Sequence, residues 1–345
     1  MLFVSRLFAL TIISFGCLAQ NAQAGTPVKL RINTTHALEN AKGAVIDAGL
    51  KLSTEISVTS SSQYDGRPFL PPDRFIADAQ SSGATILSSS FSGWNYVYDT
   101  ALYQKLTDNG MVHVYAYVPK QPQPPDVPPP AAFVTVNRIG GATGGGIEFG
   151  VPTGYMHGKG RSDNPSGVTA QLAGLMACLK YLHPSWNWFD IKAALRATAA
   201  NYAGGYDALN YGYGAIDYRA ANALADADRL PLFAPAAVVR TLPGNRIVFH
   251  INAFKQSRRF TEVLFRFASR PVPKLKELTL PEITAMGGEF LFSSYLRTTV
   301  DTFVYPVTSD DMHYYVWFTQ DLNGRFSRIE PYSIFGPIRS VSNKK

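Results

Sequence analysis

Apolar and polar positions alternate in two different rhythms along this chain, and the switch between them divides it. Within residues 30–118, short apolar runs take turns with helical spacings. Gly43-Ala44-Val45-Ile46-Asp47 reads as a buried strand ending in an acid. Asp73 to Ser82 reads as a short helix, and Ala84-Thr85-Ile86-Leu87 as a second strand. From Tyr98 to Asn109, Ala101, Leu102 and Leu106 recur at helical spacing; Gly110 ends that helix, and Met111 to Val118 is a strand. Ala132 to Val136 continues the pattern. Strands alternating with helices predict an α/β domain, a parallel sheet with helices on both faces.

Val168 to Leu182 is apolar nearly all round, which predicts a helix buried on every side. Pro184 closes it. Asn187 to Ala200 is an amphipathic helix, Gly212 to Asp217 a turn, and Tyr218 to Ala227 a third helix. Beyond Leu230 to Pro235 the rhythm changes to strand after strand. Ile247, Phe249 and Ile251 alternate with Val248 and His250, and Tyr314, Val316 and Phe318 with Tyr315 and Trp317. Asp321 to Gly324 reads as a hairpin turn. Short alternating strands of this kind predict a C-terminal β-sandwich. The expected domains are therefore 25–230 and 231–345.

Residues 1–24 stand outside both. Arg6 precedes an apolar run, Leu7 to Leu18, and Ala22-Gln23-Ala24 reads as a small-residue cleavage site. That is the pattern of a secretory signal peptide, so the expected location is secreted or periplasmic. No later segment reads as a transmembrane helix. Once Cys17 is removed with the signal, Cys178 is the remaining cysteine and no internal disulfide can form. Cys178 sits in an apolar run and reads as a core residue.

The chain is 46% hydrophobic and 17% charged, enough to bury a core and unlike a disordered protein. Its net charge of +7 is uneven. Residues 236–345 carry fifteen Lys/Arg against nine Asp/Glu, a net +6, whereas residues 7–235 balance. A basic C-terminal part can adhere to an anionic surface such as a cell envelope, or can simply be a solvated face. No nucleic-acid motif is present. Pro119 to Pro130 holds seven prolines and reads as an extended loop. The glycines of Gly140 to Gly146 lack the strand–turn–helix setting of a phosphate loop. No Cys/His cluster has metal-ligand spacing, and no cofactor is expected.

Ser166 opens the most buried helix. A serine there can be a helix cap, or a nucleophile whose oxyanion is held by the helix's own N–H groups. Ser166-Gly167-Val168-Thr169-Ala170-Gln171-Leu172-Ala173-Gly174 resembles the signature that surrounds the nucleophile of subtilisin-like serine proteases. The resemblance continues through Leu182-His183-Pro184-Ser185-Trp186, Ile191 to Leu195, Thr198-Ala199 and Tyr211 to Asp217. Upstream, Ala44 to Gly49 resembles the family's acid motif, and Ala84 to Gly93 its substrate-pairing strand. It covers about residues 35–227. The resemblance implies a subtilisin-like fold with Ser166 as nucleophile and Asp47 as acid. The Tyr314 to Ser327 stretch weakly resembles the last hairpin of a fibronectin type III domain.

The departures are equally specific. The family's histidine opens a helix between the acid motif and the substrate strand, yet no histidine lies between Asp47 and Ile86, and the interval is short enough that the helix itself reads as deleted. Asn164-Pro165 replaces Gly-Thr before the serine, and Pro119 falls where an asparagine donates to the oxyanion. Of His36, His113, His157, His183, His250 and His313, only His157, on the loop nine residues before Ser166, is placed to serve as a substitute base; the other reading of it is an exposed loop histidine. A serine without a base is a weak nucleophile. The expectation is a catalytically impaired homologue that binds peptides or a protein partner, through an edge strand near Ser88 to Gly93. The alternatives are an active endopeptidase using Ser166 and His157, and a structural envelope-associated protein.

Overall fold

The computed structural model describes residues 26–33, 37–60, 72–89, 105–106, 109–117, 132–144, 146–152, 164–202, 207, 209–224, 237–242, 246–252, 260–267, 279–294, 300–306, 313–321, 326 and 334–338. Six strands form one parallel sheet: β1 (Val28–Ile32), β2 (Ile56–Ser60), β3 (Ile86–Ser89), β4 (Val112–Ala116), β5 (Phe133–Arg138) and β6 (Phe149–Val151). Their order is β2-β1-β3-β4-β5-β6. The helices of this part are α1 (Leu38–Asp47), α2 (Pro72–Ser81), α3 (Pro165–Leu182), α4 (Trp188–Thr198) and α5 (Tyr218–Ala223).

Side chains alternate across the sheet, so each strand feeds two cores. Leu30, Ile32, Ile86, Val112, Val114, Val134 and Val136 point to one face, where residues of α1, α3 and α4 pack. Leu87, Tyr115 and Phe133 point to the other, against Phe75, Ile76 and Ala79 of α2. The expected α/β domain with helices on both faces is the observed one. Arg31 also ties β1 to α2 through two bonds to Asp78, at 2.9 and 3.2 Å.

Helix α3 is buried from Gly167 through Leu179, as its unbroken apolar sequence requires. α1 packs along it, closely enough that a Cβ on Gly174 would meet the Ala41 carbonyl oxygen at 2.8 Å. α4 is fixed by a buried ion cluster. Glu148, the residue before β6, pairs with Lys192 at 2.9 Å and with Arg196 at 2.6 Å. Lys192 also donates to the Phe133 carbonyl, and the Arg196 guanidinium lies over the Tyr213 ring.

Two expectations change. Residues 43–47 are not a strand but the second half of α1. Leu38, Ala41, Ala44 and Val45 recur at helical spacing, which a five-residue window cannot distinguish from a buried strand. The strand of this region is β1, where Val28, Leu30 and Ile32 alternate with Lys29 and Arg31. Finally, β3 pairs with β1 on one side and β4 on the other, with Ser88 and Ser89 buried, so it is no edge strand. Among the described residues, the free edge of the sheet is β2. The other margin, β6, carries Tyr213 to Ile216 alongside it through Gly150 N–H to Gly214 and Ile216 N–H to Gly150.

The C-terminal part contains two antiparallel sheets. β7 (Ala237–Leu242), β8 (Arg246–Asn252) and β11 (Val300–Pro306) form one, in the order β11-β8-β7. β9 (Phe260–Phe267), β10 (Gly288–Ser294), β12 (His313–Asp321) and β13 (Ile334–Ile338) form the other, in the order β10-β9-β12-β13. A short helix, α6 (Leu280–Ala285), precedes β10 and is closed by the Thr279–Glu282 capping box. No described helix is long and apolar enough to cross a membrane.

Candidate active site at the carboxyl edge of the sheet

The chain leaves β1 for β2 on one side, then crosses back to β3 on the other. The carboxyl ends of β1 and β3 therefore mark the point where the connections diverge, the place where open α/β sheets bind ligands. β1 is followed by Asn33, which is fully buried and donates its backbone N–H to the Ser88 carbonyl at 3.0 Å.

Ser166 belongs to the same edge. At the far end of α3, the chain turns into α4, whose Trp188 donates to the carbonyl of Gly110, just ahead of β4. Lys192 reaches the first residue of β5. Both contacts lie at the amino edge, so α3 begins at the carboxyl edge. Its cap is Asn164, whose Oδ1 accepts the Gly167 N–H at 2.8 Å. Pro165 has no N–H to satisfy, and Val168 N–H bonds the Asn164 carbonyl. Ser166 is thus the second helical residue, half-buried, with its own N–H left over from the first turn. Its hydroxyl makes no hydrogen bond among the described residues. Sequence left open whether this serine caps the helix; Asn164 does that work.

Asp47 is elsewhere. Because β1 and β2 are parallel, α1 must run back from the carboxyl edge of β1 to the amino end of β2. Asp47 is its last residue and is exposed, at the amino-edge end. His157 and His36 lie outside the described residues, as does Pro119. His183 follows α3, stacks on Trp186 at 3.9 Å and faces Asn222, also away from Ser166's end of the helix. His113 accepts from or donates to Ser89 at 2.8 Å inside a box of Phe75, Tyr115 and Phe133. Burial pushes its pKa down to about 3, so it stays neutral. Cys178 is buried in α3, and burial pushes its thiol up to about 12, which makes it inert.

Sequence reasoning missed Asn33. Its signal was available: Val28-Lys29-Leu30-Arg31-Ile32 is an alternating strand, and Asn33 is the polar residue at its end.

No protein-family model matches this chain, and no curated protein does. Among solved structures, it is similar to fervidolysin from Fervidobacterium pennivorans, a keratinolytic enzyme related to subtilisin. The identity is 11% over 87% of this chain and 69% of that one, with a TM-score of 0.40. A lanthipeptide protease is 14% identical over 58% of this chain and 88% of its own, with a TM-score of 0.39. MycP1 from Mycobacterium smegmatis is 18% identical over 65% and 86%, with a TM-score of 0.39.

Proposed function

We propose that this chain is an exported subtilisin-like homologue that keeps the nucleophile's serine, Ser166, but is catalytically impaired, and that it binds peptide or protein segments instead of cleaving them. The observation that carries the reading is Asn33. At the edge of the sheet where Ser166 begins α3, the residue after β1 is an amide, Asn33, and the acid that the resemblance implies, Asp47, lies at the opposite edge. An amide can orient an imidazole but cannot stabilise the imidazolium that forms as serine attacks. In a serine-protease triad, that exchange costs about 10⁴-fold in turnover. Pro119, in the register of the resemblance, also removes a side-chain oxyanion donor, worth about 10²–10³-fold in an intact enzyme. Peptide would enter the crevice between the carboxyl ends of β1 and β3. The signal-peptide pattern at residues 1–24 supports export, and the change of rhythm near residue 231 supports a separate C-terminal domain.

One observation favours a second reading, an active serine peptidase. α1 packs along α3, and the chain enters α1 at Ala37, directly after His36. His36 therefore stands in chain order where the family's histidine opens its helix, and it competes with His157 as a base for Ser166. Both readings meet in one experiment. The mature protein is treated with a fluorophosphonate probe alongside Ser166→Ala, His36→Ala and His157→Ala. The impaired reading expects no labelling above that of Ser166→Ala. Strong labelling abolished by Ser166→Ala and by one histidine variant overturns it and identifies the base.

The basic C-terminal part supports a third role, adhesion to an anionic envelope. Its measure is binding of the full chain to anionic vesicles, which should fall as salt rises.

A further inference from the structure

Asn109 and Gly110 form an exposed turn between the helical residues Lys105–Leu106 and β4. Gly110 sits at φ +60, a backbone state that glycine adopts without strain. Asn109 N–H bonds the Lys105 carbonyl and Met111 N–H the Leu106 carbonyl, which fixes the turn on both sides of Gly110. The Asn109 side-chain NH₂ donates to the Lys105 carbonyl at 2.6 Å, from a carboxamide carbon on an exposed residue. Without a side chain, Gly110 offers no steric shield over that carbon.

We propose that Asn109 is a site of spontaneous deamidation. The Gly110 nitrogen gives its proton to solvent base and attacks Asn109 Cγ; the new C–N bond closes a succinimide as ammonia leaves, taking a proton from water. Water then adds to either ring carbonyl and opens the ring to aspartate or isoaspartate. The net change consumes one water and releases one ammonia. The product matters to the fold. A carboxylate at the end of a helical turn faces the unfavourable end of its dipole. Isoaspartate also lengthens the main chain by one methylene, between the Leu106–Met111 bond and the Gly110 carbonyl that holds Trp188 at the head of α4.

The test is peptide mapping of the intact protein after incubation at mildly alkaline pH, with an isoaspartate methyltransferase as the probe. Trypsin releases residues 106–120 as one peptide. The expected result is progressive loss of its amide form, matched by two acid-form products, one of which accepts methyl groups. Neither should form in Asn109→Gln. The heat-unfolded chain supplies the reference for the same peptide. An Asn109 that keeps its amide in the folded protein while the unfolded chain converts overturns the proposal. So does methyl acceptance confined to the sequence's other Asn-Gly pair, Asn323-Gly324. Wild-type mapping decides the matter even if Asn109→Gln fails to fold.

Discussion

Gly174 of α3 faces the carbonyl oxygen of Ala41 in α1, and no side chain fits between them: a Cβ would stand 2.8 Å from that oxygen and 3.2 Å from the Ala44 methyl. The obstruction is backbone, which cannot swing away. Gly174→Ala should gain about 1 kcal/mol of helix propensity. It should lose more to overpacking, which typically costs about 1–3 kcal/mol. The expected net effect is a lower denaturation midpoint in urea, with the slope unchanged.

Asn164 and Ser166 separate capping from chemistry. Asn164→Ala leaves the Gly167 N–H without its acceptor and should cost about 0.5–2 kcal/mol. Ser166→Ala removes a hydroxyl that bonds nothing described and should stay within about 0.5 kcal/mol of wild type. Equal losses in thermal melts of the two variants would return Ser166 to a structural role.

The Glu148 carboxylate holds two buried cations. Glu148→Gln leaves Lys192 and Arg196 facing each other without an anion and should cost about 3–5 kcal/mol. Lys192 titrates accordingly. Burial lowers its pKa from 10.5 to about 8, against the pull of Glu148 and with the push of Arg196. Between those values, the unfolded chain holds a proton that the folded one has released. Stability should therefore rise with pH across that window, by about 1.4 kcal/mol per unit. Denaturation midpoints from pH 8 upward should show this slope in wild type and lose it in Lys192→Met.

His113 gives the opposite end of the pH scale. Its pKa falls from 6.5 in the unfolded chain to about 3 in the fold, because burial disfavours the charged ring. Between those values, the unfolded state binds the extra proton, so stability should drop as pH falls from about 6.5 toward about 3. The slope is again about 1.4 kcal/mol per unit. His113→Gln, which can still meet the Ser89 hydroxyl, should flatten that part of an acid-stability curve.

The chain's local patterns were sufficient for much of this. Period-two alternation and helical spacing define the α/β part, because a parallel sheet buried on both faces demands apolar strands and a fully apolar helix such as α3. The buried cysteine and the serine at the helix start were legible for the same reason: they depend on immediate neighbours. Three matters were not local. Gly43 to Asp47 suits a strand or a helix equally well, and only packing against Gly174 makes it α1. Ser88 and Ser89 look like an edge until β1 and β4 close on both sides. Which polar residues share an edge of the sheet depends on strand order and chain direction. Those place Asn33 and the start of α3 together and send Asp47 to the opposite edge. Strand pairing is a long-range choice, made by burial of both faces at once, and no window along the chain contains it.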